Sequence, residues 1–171
     1  NPGKIPSNKR IIVVPTINPD GFALGTRLNA RRIDLNRNFA TSDWKEDIQD
    51  LQGNPFPGGG GKKPMSEPET NVIAGFVARQ RPELVISYHS TAWLVISNQV
   101  GQANARASQY ANLSGYRLSS GGGGDFGYQI TGTADDYYAE KLGVASIVIE
   151  LGSQQYHQFE LNQAAMWAML R

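Results

Sequence analysis

The amino-acid sequence predicts an α/β fold from three observations. Two apolar runs, ELVISYHS at 83–90 and ASIVIELG at 145–152, read as buried strands, and each stops on one polar side chain, His89 and Glu150. Around them lie stretches whose apolar residues recur with helical period. The third observation is length: 171 residues suit one domain and can bury roughly 70% of the unfolded surface. A single domain over residues 1–171 is therefore expected.

Taken in order, RIIVVP at 10–15 reads as a buried strand and NPDG at 18–21 as a tight turn. A long irregular stretch then runs from Phe22 to Pro64, and its Gly tract at 58–61 is expected to be a surface loop. That tract is not a phosphate loop, because it lacks the earlier Gly and the Ser or Thr after Lys62. SEPET at 66–70 opens the clearest helix. Ser66 and Glu69 have capping-box spacing, Pro68 lies in the first turn, and Val72, Ile73, Phe76 and Val77 form an apolar stripe before Pro82. Glu67 and Glu69 are read as cap and dipole residues. After the strand to His89, a short strand at 94–96 and a helix at 102–113 are expected. A flexible loop over Gly121–Gly124 follows, then a helix from Ala134 to Lys141 ended by Gly143. The strand to Glu150 and a terminal helix over about 160–170 complete the chain.

Composition narrows the partners. Sixteen Lys and Arg against fifteen Asp and Glu give a net charge of +1, which points to neither nucleic acid nor an anionic membrane. With no cysteine, any metal must be held by His, Asp or Glu. The longest apolar runs fall far short of the ~18 residues of a membrane span, so a soluble chain is expected. No G-x-S-x-G elbow and no cysteine argue against nucleophilic hydrolysis.

Chemistry concentrates in TRLNARRIDLNRNF at 26–39, which carries Arg27, Arg31, Arg32, Arg37, Asn29, Asn36 and Asn38. Neighbours on a strand point to opposite faces, so Asn36 and Arg37 can share a ligand only on a loop. There the pair suits a carboxylate, for which guanidinium offers a bidentate fork and the amide a further donor. A structural network of arginines with Asp34 bracing the loop accounts for the same residues. At the opposite strand ends, His89 is a metal-ligand type and Glu150 a desolvated carboxylate, and ligands gather at such ends in α/β sheets.

Together these residues resemble the zinc metallocarboxypeptidases of the carboxypeptidase A type, in particular the bacterial branch that includes murein-peptide amidases. The resemblance rests on INPDGF at 17–22, GTRLNARRIDLNRNF at 25–39, SEPET at 66–70, SYHS at 87–90 and IELG at 149–152, in that order. It implies a mixed central sheet with helices on both faces, one zinc ion, and hydrolysis of the C-terminal peptide or murein-peptide bond. By the same resemblance His89 is a zinc ligand and Glu150 the general base. Arg27 polarises the scissile carbonyl, Asn36 and Arg37 clamp the substrate carboxylate, Tyr128 closes over substrate and Ala134 lies where side-chain specificity is tuned. Asp34 matches the aspartate that orients the first zinc histidine. The partner implied is a peptide or peptidoglycan peptide with a free carboxylate, and bacterial cytoplasm, periplasm or secretion would each be compatible.

One part of the pattern is missing. The family's first two zinc ligands belong to a His-x-x-Glu motif preceding NPDG, and no such motif precedes NPDG in this chain. The expectation is that residues 1–171 are the C-terminal portion of the catalytic domain, with two ligands and a partnering segment upstream of Asn1. His157, in the polar stretch SQQYHQFE, reads as a surface residue. A relative that binds peptide carboxylates without metal is the alternative reading.

Overall fold

A computed structural model describes residues 3, 5–120 and 124–171. Residues 121–123 of the expected Gly121–Gly124 loop lie outside them. In chain order the elements are α1 (Pro19–Leu24), a 3-10 turn (Leu35–Arg37), β1 (Ile48–Gln49), β2 (Pro55–Phe56), α2 (Pro68–Gln80), β3 (Val85–Ser90), β4 (Leu94–Ser97), α3 (Ala103–Ser114), β5 (Arg117–Leu118), α4 (Ala134–Tyr137) with a π-helical turn over Tyr138–Leu142, β6 (Ser146–Leu151) and α5 (Phe159–Ala168). No helix among the described residues is long and apolar enough to cross a membrane. The chain divides into two compact units, a sheet unit (1–14, 84–120, 145–171) and a loop-rich unit (15–83, 121–144).

In the sheet unit, four strands run in the order β3-β6-β4-β5. The sheet is mixed, because β6 pairs parallel with β3 and antiparallel with β4, while β5 pairs parallel with β4. Strand side chains alternate faces, and the burial follows. Ile147 and Ile149 of β6 join Val95 of β4 in a core with Ala103, Ala107, Tyr110 and Ala111 of α3 and Ala165 of α5. Alanines at 103, 107 and 111 recur every four residues, so one face of α3 is small enough to approach the sheet closely. Burying each of the two β6 isoleucines contributes about 1.5–3 kcal/mol. Gly115, in the left-handed conformation at φ 75°, ends α3.

The expected strand at 10–15 does not form. Ile11, Ile12, Val13 and Val14 are exposed, Val13 by 75%. An apolar run becomes a buried strand only where a neighbour takes its backbone donors and acceptors, and among the described residues no strand pairs with it.

The loop-rich unit departs further from local expectation. NPDG is no isolated reversal: Asn18 accepts a hydrogen bond from the Gly21 N–H, Pro19 occupies the first turn, and a six-residue helix follows. Within the stretch read as irregular, Ile48 and Gln49 pair antiparallel with Phe56 and Pro55. α2 forms as expected, but Pro68 at its first turn moves the cap to Glu67, and the Ser66–Glu69 box does not form. Instead the Ser66 hydroxyl donates to Glu67. Of the predicted stripe, Ile73 and Val77 are buried and Val72 is exposed. The helix from Ala134 is ended by Gly143, as the sequence indicates, and the structure adds a cap from the Thr133 hydroxyl.

The Gly tract also corrects the reading, since Gly59, Gly60 and Gly61 are buried. The Gly59 carbonyl accepts from the Asp34 N–H, and the Gly60 carbonyl accepts from Asn38 Nδ2 and Trp44 Nε1. A Cβ on Gly60 would lie 2.0 Å from the Lys45 carbonyl oxygen. Gly60 is therefore there to let two backbones touch.

Candidate functional site

Asn36 and Arg37 sit on the 3-10 turn, not on a strand, as sharing one ligand requires. Asp34 builds that turn: its carboxylate accepts from the Asn36 N–H at 3.0 Å, and its carbonyl accepts from the Arg37 N–H at 2.9 Å. The same carboxylate accepts from Arg27 Nε at 2.7 Å, a short charge-assisted bond with Asp34 buried. Asp34 thus holds Arg27 and shapes the loop, the bracing role that stood beside the clamp in the sequence.

Arg37 is different in kind. It is 2% exposed, its Nη1 donates to the Asn36 carbonyl at 2.7 Å, and its Nε is buried with no hydrogen-bond partner. Burial holds its pKa below the ordinary arginine value; Asp34 opposes that shift, Arg27 adds to it, and Tyr128 beside the guanidinium again favours the charge. A buried cation with an unused donor is costly unless an anion completes it. Asn36 accepts from the Ala134 N–H at 2.9 Å through Oδ1, and its Nδ2 donates to no described residue. Ala134, expected to lie where side-chain specificity is tuned, anchors the Asn36 amide through its backbone N–H. Two donors, Arg37 Nε and Asn36 Nδ2, are left for an acceptor, with Tyr128 beside them.

The other two asparagines do structural work. Asn38 is fully buried, donates to the Gly60 carbonyl and Ser66 Oγ, and accepts from the Glu67 N–H. Asn29 donates to Glu67 Oε2 at 2.8 Å and accepts from the N–H groups of Arg31 and Ile33. Glu67, read from sequence as a cap residue, is a buried carboxylate at the centre of this network. Its burial was not legible locally, because its partner Asn29 is 38 residues away in the chain.

In the sheet unit, His89 of β3 and Glu150 of β6 are register partners in the parallel pair. Ile86 and Ile149 belong to the α3 side, so by alternation His89, Glu150 and the fully buried Leu94 lie on the opposite face. Adjacent strands are about 4.8 Å apart, which makes the two side chains neighbours. His89 is half-buried and Glu150 buried. Among the described residues, however, no three His, Asp or Glu side chains are grouped to hold a metal ion. His157 is 83% exposed and lies 3.6 Å from Glu160, as its polar surroundings suggested.

Comparison with known proteins identifies the family and the fold. The family model described as zinc carboxypeptidase matches residues 3–168. Murein peptide amidase A of Escherichia coli K12 is 41% identical over 90 residues, covering 49% of this chain and 37% of that protein. The Vibrio campbellii protein of the same name is 33% identical over 88 residues, covering 45% of this chain and 34% of that one. These matches span little more than a third of the relatives' length. The crystal structure of a murein-tripeptide amidase from Escherichia coli O157 superposes with a TM-score of 0.72 at 27% identity, over 93% of this chain and 67% of that one. Carboxypeptidase A from Helicoverpa armigera shares the fold, with a TM-score of 0.61 at 24% identity, over 92% of this chain and 48% of that one.

Proposed function

The chain belongs to the zinc carboxypeptidase family, and from that premise we propose that it serves hydrolysis of the C-terminal bond of a peptide or murein peptide bearing a free carboxylate. The observation that carries this reading is the buried Arg37 guanidinium whose Nε has no partner, next in sequence to Asn36, whose Oδ1 is anchored and whose Nδ2 is left to donate. Family membership implies zinc, yet the described residues do not by themselves make its site: His89 is one ligand where catalytic zinc takes about three. No step below is routed through the metal.

Each side chain then has a task. Arg37 and Asn36 bind the terminal carboxylate through the fork and the amide, which confines hydrolysis to the last bond. Tyr128, next to the guanidinium, covers the bound end. Arg27, held by Asp34, stabilises the charge that develops on the carbonyl oxygen, since a preset donor costs no reorganisation during reaction. Glu150 accepts a proton from the attacking water and returns it to the leaving amine. The murein assignment rests on the named relatives.

A second reading is a binder of peptide carboxylates without turnover, which the same Arg37 and Asn36 donors would serve with no metal. One experiment separates them. The zinc-supplemented protein is given a murein tripeptide, or a plain peptide, and its C-terminal amide, alongside Glu150→Gln. Hydrolysis of the acid only, lost in Glu150→Gln with the acid still bound, supports the enzyme. Binding of the acid without hydrolysis supports the binder, and equal handling of acid and amide overturns the clamp.

A further inference from the structure

Behind the strands that carry His89 and Glu150 runs a chain of hydrogen-bonded side chains that the chemistry above does not use. The Tyr88 and Tyr110 hydroxyls are 3.1 Å apart, and Tyr110 donates to Asn162 Oδ1 at 2.7 Å. Asn162 Nδ2 donates to the Tyr116 hydroxyl at 3.0 Å, and Tyr116 donates to Gln158 Oε1. That same oxygen accepts from the Gly152 N–H at 2.9 Å. Since Tyr110 spends its only proton on Asn162, Tyr88 is the donor to Tyr110, and the chain has one direction throughout. Tyr110 is fully buried, and Asn162 and Tyr116 nearly so.

Its placement is telling. Tyr88 adjoins His89 in β3, and Gly152 lies two residues past Glu150. Gly152 is also wedged sterically, since a Cβ there would come within 1.9 Å of Trp93. The Trp93 ring in turn meets Tyr116 edge-on, with centroids 5.3 Å apart. Residues 154–157, just beyond, are exposed and form no strand or helix. Without a fixed point at Gly152, the end of β6 would take up the freedom of that loop. A fully satisfied buried network of five linked polar side chains rigidifies its surroundings and holds them in one arrangement.

We propose that Gln158, held by Tyr116 and Asn162, is a positioning residue that fixes the carboxyl end of β6 through Gly152 and thereby aims the Glu150 carboxylate. This rests on the reading of Glu150 as the base. It acts on geometry, where a displacement of about 1 Å can cost on the order of 10²-fold in rate.

The test uses the full chain with zinc and compares Gln158→Leu, which removes the acceptor, with Gln158→Glu, which keeps it. Two quantities are read: amide hydrogen exchange at Gly152, and kcat and KM on a peptide with a free carboxylate. Gln158→Leu is expected to speed Gly152 exchange about tenfold and lower kcat about 10–100-fold with KM within about twofold. Gln158→Glu is expected to restore both. If Gln158→Leu does not fold, Tyr116→Phe decides, because it deletes one hydroxyl and keeps the ring against Trp93. Faster Gly152 exchange with unchanged kcat overturns the proposal, as does a loss that Gln158→Glu does not rescue. Glu150→Gln is run beside them. If it turns over normally, the base assignment fails and takes the inference with it; a dead Glu150→Gln beside a fully active Gln158→Leu overturns the inference alone.

Discussion

Replacing Arg37 by Met is the most discriminating perturbation, because it should separate binding from stability. Methionine fills a similar volume without charge. The variant loses the Nη1 bond to the Asn36 carbonyl, a cost of about 1 kcal/mol. Against that, the folded state no longer buries a cation whose Nε has no partner. Asp34 is not orphaned, since it keeps Arg27 Nε at 2.7 Å and the Asn36 N–H at 3.0 Å. The two effects on stability should nearly cancel, leaving a change within about 1 kcal/mol. Substrate binding has no such compensation. Losing a charge-assisted contact to carboxylate costs about 3 kcal/mol, or roughly 10²-fold in affinity. Urea unfolding reports the first quantity, and the dissociation constant for a peptide acid against its C-terminal amide reports the second. The acid should lose its advantage while the amide is unaffected. A variant that unfolds several kcal/mol more easily yet still prefers the acid would show that Arg37 is structural and refute the clamp.

Two further outcomes follow from the loop-rich unit. Gly60→Ala places a methyl group 2.0 Å from the Lys45 carbonyl oxygen, a backbone atom that cannot step aside; a loss of at least about 3 kcal/mol in denaturant unfolding is expected, and a neutral result would show that the Gly tract is not packed as described. Ser42→Ala tests a titration: the Ser42 hydroxyl is the main cause holding the Glu140 carboxyl below its ordinary range. The folded pKa lies below the unfolded value of about 4.3, so this contribution is present above that pH and is lost as pH falls through the folded pKa. The melting temperature of Ser42→Ala should therefore trail the parent near neutrality and converge with it on acidification, and a gap independent of pH would contradict the assignment.

How much of this was legible in advance varies with how local its cause is. β6 and α3 were readable because their burial patterns repeat within the element, and Glu150 stood out as a candidate because a polar residue ending ASIVI has few explanations. The proposed clamp was readable only in outline. Asn29, Asn36 and Asn38 look alike in sequence, and what separates them is partners far along the chain: Glu67 for Asn29, Gly60 and Ser66 for Asn38, the Ala134 N–H for Asn36. The strand expected at 10–15 failed for a related reason, since apolar character sets the tendency and a pairing neighbour decides the outcome.

From the sequence by itself came the α/β alternation, the two strand ends, the family and the residue types of the candidate site. Only the tertiary structure decided that the Gly tract is buried, that Asp34 holds Arg27, that Arg37 keeps an unpartnered donor, and that Gln158 grips the strand end beyond Glu150. The division is physical. Periodicity and capping act over a few residues and leave a mark in the sequence, whereas satisfying a buried polar group depends on whichever distant backbone or side chain the fold brings within hydrogen-bond reach.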